Sequence, residues 1–155
     1  MITIRKALKD DIGSIKNLLH EFYEKGIVLE RSEEEILREL ENFYIAEYND
    51  NFAGTISFHN YGAHLKEIRS LVVPEIYRKY GIGRMLVNRA VKDILEENSN
   101  QRIFTLTYVP DFFQKLGFYI VDKNTFPEKI WKDCVNCQSQ DNCGETALVF
   151  DNESI

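Results

Sequence analysis

Apolar and polar residues alternate over "ITIRKA" (2–7), the pattern of a half-buried strand. The period then changes. In "DDIGSIKNLLHEFYEKG" the residues Ile12, Ile15, Leu18, Leu19 and Phe22 fall on one helical face, with Asp10 or Asp11 placed to cap it and Gly26 to end it. Ser32 followed three residues later by Glu35 is a capping box, which predicts a second helix starting at Ser32. "YIAEY" and "FAGTISFH" flank Asn49-Asp50-Asn51 and read as a hairpin. "HLKEIRSLVV" (64–73) reads as a longer, central strand, apolar on both faces toward its end. A helix with Ile82, Leu86, Ala90 and Ile94 follows, its stripe widened by Val87, Val91 and Leu95. "RIFTLTY" is a buried strand, "PDFFQKLGF" a short helix stopped by Gly117, and "YIVDK" and "ETALVFD" are late strands. The predicted order is β-α-α-β-β-β-α-β-α-β-β, a mixed α/β class with helices packed against one sheet.

No repeat, linker or low-complexity tract divides the 155 residues, so one domain over 1–155 is expected. With 44% hydrophobic and 28% charged residues, the chain has the composition of a folded globular protein. No apolar run has the length of a membrane span, and no signal segment precedes the first strand, so the cytoplasm is the expected compartment. A net charge of −6 argues against a general nucleic-acid binder; an anionic ligand needs a local basic pocket. Neither membrane nor nucleic acid is an expected partner, and a homodimer is left open.

Such a pocket is suggested by "LVVPEIYRKYGIGRMLV" (71–87), where a strand stops at Pro74 and glycines open a helix. Glycines at a strand–turn–helix junction expose backbone N–H groups at the positive helix end, where an anion can sit. A P-loop needs Gly-Lys-Ser/Thr, but Gly83 is followed by Arg84 and Met85. A dinucleotide fingerprint needs a third glycine where Leu86 stands.

The stretch does resemble the acetyl-CoA signature of the GNAT superfamily of N-acetyltransferases, and "FFQKLGFYIV" (112–121) resembles its second signature. The resemblance implies a mixed, mostly antiparallel sheet of about six or seven strands flanked by helices, with acetyl-CoA as co-substrate. It implies that Arg78, Lys79, Gly81, Ile82, Gly83 and Arg84 hold the pyrophosphate, largely through main-chain amides. Leu71 and Val73 would pair their backbone with the pantetheine arm. Many members carry a carboxylate at the place of Glu67 that removes the amine proton; strand alternation is expected to put Glu67, Arg69 and Leu71 on one face. The superfamily often has a tyrosine acid where this chain has Phe113, so Tyr108 is the candidate acid.

"GIVLERSEEEI", "KEIRSLVVPEIYRKYGIG" and "KIWKDC" further resemble the N-acetylglutamate synthase family in its short, stand-alone form. That resemblance implies a small acidic amino acid as acceptor, its carboxylate clamped by Arg31, with Lys66 and Arg69 supplying positive surroundings. Another small amine, a protein N-terminus, or a non-catalytic acetyl-CoA-binding role are the alternatives. Cys134, Cys137 and Cys143 form a Cys-x-x-Cys with a third cysteine six residues on. Structural zinc there would need a fourth ligand, Asp133 or a distant histidine, so reduced thiols are the default expectation.

Overall fold

A computed structural model describes residues 1–62, 64–122 and 145–151. Strand β1 (Ile2–Lys6) leads through a 3-10 turn to helix α1 (Ile12–Glu24), and α2 (Glu33–Arg38) follows. Strands β2 (Phe43–Tyr48), β3 (Asn51–Asn60) and β4 (Leu65–Val72) then run as a meander. A 3-10 segment (Glu75–Tyr80) leads into α3 (Ile82–Glu97), β5 (Arg102–Thr107), α4 (Pro110–Gln114), β6 (Phe118–Val121) and β7 (Thr146–Phe150). The seven strands form one sheet in the order β1-β2-β3-β4-β5-β7-β6. All pairs are antiparallel except β4 with β5, which α3 connects as a crossover. The element order and sheet class are those expected from the sequence.

The local signals act as read. Ser32 Oγ accepts from the Glu35 amide at 3.1 Å while the Glu35 carboxylate accepts from the Ser32 amide at 3.3 Å, closing the capping box. Asn49 and Asp50 have φ of 49° and 70°, two left-handed residues that join β2 to β3 in a tight turn. Asp11 differs from expectation. It stands at the start of α1, but its carboxylate accepts from the Leu8 amide and pairs with Arg5 instead of capping the helix.

Strand alternation divides the core between the two faces. Tyr44, Ala46 and Ile68 pack with Ile82, Leu86 and Ala90 of α3. Phe43, Ile45 and Val72 pack with Ile15, Leu19 and Phe22 of α1 and with Ile36 of α2. The sheet is thus a middle layer. Its β4 strand carries one helix layer on each face, and the site forms where this strand leaves the regular pattern.

Candidate active site

Residue Ser57 of β3 pairs with Arg69 of β4, yet Thr55 pairs with Val72: two steps on one strand match three on the other. That extra residue is a β-bulge, and Ser70 within it has φ of 55°. Gly54 makes room for it. A Cβ on Gly54 would stand 3.0 Å from the Val72 carbonyl oxygen and 3.3 Å from Val73 Cγ2. The bulge reverses the side-chain parity, so Leu71 and Val73 pack toward α3 while Val72 packs toward α1. The expectation that Leu71 shares a face with Glu67 and Arg69 is corrected here.

The same irregularity separates β4 from β5. Their pairing runs from Leu65–Arg102 to Ile68–Thr105 and goes no further. Beyond it the strands splay around a slot of ≈ 180 Å³, bounded by Ile68, Ser70 and Leu71 on one side and Thr105, Thr107 and Tyr108 on the other. The glycine turn follows the end of β4. Gly81, with φ of 77°, ends the 3-10 segment and precedes α3. The first bond across the start of α3 is from the Met85 amide to the Gly81 carbonyl at 3.2 Å. The amides of Ile82, Gly83 and Arg84 therefore lie in the first turn, where a helix has no acceptors of its own.

Side chains at this turn have separate duties. Ile82 is fully buried and packs into the core between α3 and the sheet. A Cβ on Gly83 would come within 3.2 Å of the Phe112 ring, so glycine here also permits α3 to pack against α4. Lys79 and Arg84 are exposed. Arg78 folds back: its Nε donates to the Val73 carbonyl at 3.1 Å and its guanidinium lies over the Phe22 ring. It ties the turn to the end of β4.

A second cavity of ≈ 390 Å³ lies on the α2 side, lined by Arg31, Arg38, Glu39, His59, Tyr61 and Arg69. Its volume suits a small molecule. Arg31 and Arg69 line both this cavity and the slot, and Glu67 lines the slot. Glu67 is only 7% exposed. Its Oε1 accepts from Arg69 Nη2 and, at 3.2 Å, from the Tyr61 hydroxyl, while Arg69 Nη2 also donates to that hydroxyl at 3.0 Å. Arg31 Nη1 stands 3.5 Å from Glu35 Oε2, the carboxylate oxygen not used by the capping box. Glu39 meets His59 Nδ1 at 2.8 Å, and this hydrogen bond holds its carboxyl below the usual range, helped by the charges of Arg69 and Arg31.

Lys66 is not part of this cluster. It neighbours Glu67 in the strand and so points to the opposite face, where its Nζ donates to the Gly62 carbonyl at 2.7 Å. Burial there lowers its pKa. The expected grouping of Lys66 with Arg31 and Arg69 is therefore corrected: the two arginines converge and the lysine does not. Tyr108 lines the slot and is 40% exposed. Phe113 is 2% exposed and stacks edge-on between Phe112 and Phe118, so a packing ring occupies the position where a tyrosine acid was missed. Cys134, Cys137, Cys143 and Asp133 lie outside the described residues; among the described residues no group of three metal-binding side chains occurs. Tyr61, His59 and Glu39 were not foreseen. His59 is brought opposite Glu67 by the β3–β4 register, and Glu39 reaches His59 from the end of α2; neither contact is displayed in the sequence.

A splayed β4–β5 pair with a bulge before a glycine turn and a carboxylate beside the opening defines the class. Residues 12–118 match the acetyltransferase (GNAT) family, and the chain belongs to it. It is 38% identical over 146 residues to an uncharacterized N-acetyltransferase of Chlorobaculum tepidum, covering 94% of each chain. It is 26% identical to an amino-acid acetyltransferase of Mycobacterium tuberculosis over 89% of this chain and 79% of that protein. The structure superposes with a TM-score of 0.85 on N-acetylglutamate synthase from Neisseria gonorrhoeae complexed with coenzyme A and N-acetylglutamate. Identity there is 26%, and the match covers 97% of this chain but 35% of the synthase.

Proposed function

We propose that residues 1–155 form one acetyltransferase domain that transfers acetyl from acetyl-CoA to the α-amine of L-glutamate, a step of arginine biosynthesis in the cytoplasm. The observation that carries this reading is the convergence of Arg31 and Arg69 on one cavity beside the buried carboxylate of Glu67. Two guanidinium groups suit a substrate with two carboxylates, because each planar fork can hold one through paired hydrogen bonds. Lys66 has no part in it. The amino-acid acetyltransferase among the relatives and the product bound to the gonococcal synthase support the same acceptor class.

In this reading the CoA pyrophosphate meets the amides of Gly81, Ile82, Gly83 and Arg84, with Lys79 and Arg78 nearby as positive charge. The pantetheine arm runs along the unpaired end of β4 at Leu71 and Val73, and the thioester lies in the slot. Glu67, held in one orientation by Arg69 and Tyr61, takes a proton from the glutamate ammonium. The amine nitrogen attacks the thioester carbon; the C–N bond forms, the C–S bond breaks, the thiolate takes a proton from Tyr108, and the second N–H proton released as the amide forms restores the Tyr108 hydroxyl.

An amine screen with purified protein, acetyl-CoA and a thiol-detecting dye tests the acceptor. Glutamate should outperform glutamine. Arg31→Ala should raise the KM for glutamate about 10- to 150-fold, the equivalent of a charge-assisted hydrogen bond of ~1.5–3 kcal/mol. If polyamines or peptide N-termini outperform glutamate and Arg31→Ala is indifferent, the acceptor assignment falls.

A further inference from the structure

Glu67 is buried, so a proton placed on it in each turnover needs a way back to water. His59 is positioned to provide one. It stands on β3 directly opposite Glu67 in the antiparallel ladder. Such cross-strand pairs leave the same face with Cβ atoms about 5 Å apart. The His59 side chain is 31% exposed and lines the acceptor cavity. Tyr61 lies between the two: its hydroxyl donates to Glu67 at 3.2 Å, and its ring packs edge-on against the imidazole at 4.7 Å.

The tautomer follows from the partner. Glu39 Oε1 is 2.8 Å from His59 Nδ1, and an ionised carboxylate only accepts, so Nδ1 carries the hydrogen. The lone pair of the neutral ring is then on Nε2. The charged and titratable groups around the ring are Glu39, Glu35, Arg38 and Arg31 from the α2 side, Tyr61 beyond its own strand, and Glu67 and Arg69 from β4. A carboxylate–imidazole pair at the mouth of the cavity is a proton carrier with an anchored ring.

We propose that His59 is the exit for the proton that Glu67 removes from the acceptor ammonium; this rests on Glu67 being the base. The ammonium N–H bond breaks and a Glu67 O–H bond forms. That proton then passes to Nε2 of His59, through the Tyr61 hydroxyl or a water, which restores the Glu67 carboxylate and leaves an imidazolium paired with Glu39. The imidazolium gives the proton to bulk water before the next cycle.

Two variants in the full chain test this, His59→Gln to preserve volume and His59→Ala to leave room for added imidazole, with melting curves recorded alongside. Both should lower kcat by roughly 10²-fold, the lower range for a lost proton-transfer group, and change the KM for glutamate by less than about threefold. Imidazole in the buffer should restore turnover of His59→Ala and leave the unsubstituted protein unaffected. Unchanged kcat in both variants, while Glu67→Gln is inactive, overturns the relay and leaves the base assignment standing. A loss that imidazole does not restore overturns it too, as does a raised KM at preserved kcat, which would make His59 a substrate contact. If Glu67→Gln keeps full turnover, the base assignment fails and the relay fails with it.

Discussion

Replacing Gly54 by alanine should destabilise the protein far more than one added methyl group suggests. Gly54 has φ of +156°, and the new Cβ would lie 3.0 Å from the Val72 carbonyl oxygen, 3.3 Å from Val73 Cγ2 and 3.4 Å from Leu86 Cδ1. The first neighbour is backbone and cannot rotate away. Strain at an unfavourable φ costs about 1–3 kcal/mol. Overpacking a filled core adds about 1–3 kcal/mol. A loss of about 2–6 kcal/mol follows, and at roughly 2–4 °C per kcal/mol the melting temperature should fall by about 4–24 °C. The same methyl pushes on the segment from Ser70 to Val73 that shapes the slot, so affinity for acetyl-CoA should fall with stability. Gly83→Ala is the control. Its Cβ would meet the end of the Phe112 ring at 3.2 Å, a side chain able to yield, at a residue without positive φ. A gain in helix propensity of up to about 1 kcal/mol offsets the crowding, so this variant should melt near the parent. Urea unfolding and acetyl-CoA calorimetry on both variants decide the matter. A Gly54→Ala protein within about 0.5 kcal/mol of the parent and with unchanged acetyl-CoA affinity would refute the argument that glycine is required beside the bulge.

Lys66→Met should leave the KM for glutamate unchanged in steady-state assays, because the ammonium lies on the opposite face of the sheet; a marked rise would return Lys66 to the acceptor site. Acid should destabilise the fold through Asp11, whose pKa is lowered chiefly by the hydrogen bond from Arg5. A depressed folded value means the stabilisation is complete above the unfolded value of about 4 and is lost as pH falls from there through the lower folded value. Urea midpoints from pH 6 down to pH 3 should therefore drop less steeply in Asp11→Asn than in the parent. Tyr108→Phe should melt like the parent, since the ring is 40% exposed. Its kcat should fall roughly 10²-fold if the hydroxyl protonates the thiolate, and an unchanged kcat would show that the thiolate needs no acid.

How far the sequence could be read depended on the range of each signal. The capping box at Ser32–Glu35 and the turn at Asn49–Asp50 involve contacts within a few residues, and both formed as expected. The bulge at Ser70 has no such signal. Serine is no substitute for glycine in conformational freedom, and the room it uses is made by Gly54 on another strand. The parity of Leu71 could not be read correctly without it. Lys66 is different. A strict period of two already separates it from Glu67 and Arg69, so grouping it with them on charge alone passed over a local rule. His59 and Tyr61 reach Glu67 only through the β3–β4 register, which is a tertiary fact.

Glu35 uses one carboxylate oxygen to close the start of α2 and the other to hold Arg31. Helix formation at Ser32–Glu35 and the placement of the Arg31 side chain are therefore coupled, and each reports on the other. A ligand that engages Arg31 draws on a guanidinium held by Glu35 of the formed helix, so occupancy should slow amide hydrogen exchange at Glu35 and Ile36, in the first turn of α2. Conversely, solution conditions that fray this short helix should weaken acceptor binding while sparing the glycine turn, giving the two substrates different sensitivities to mild denaturant.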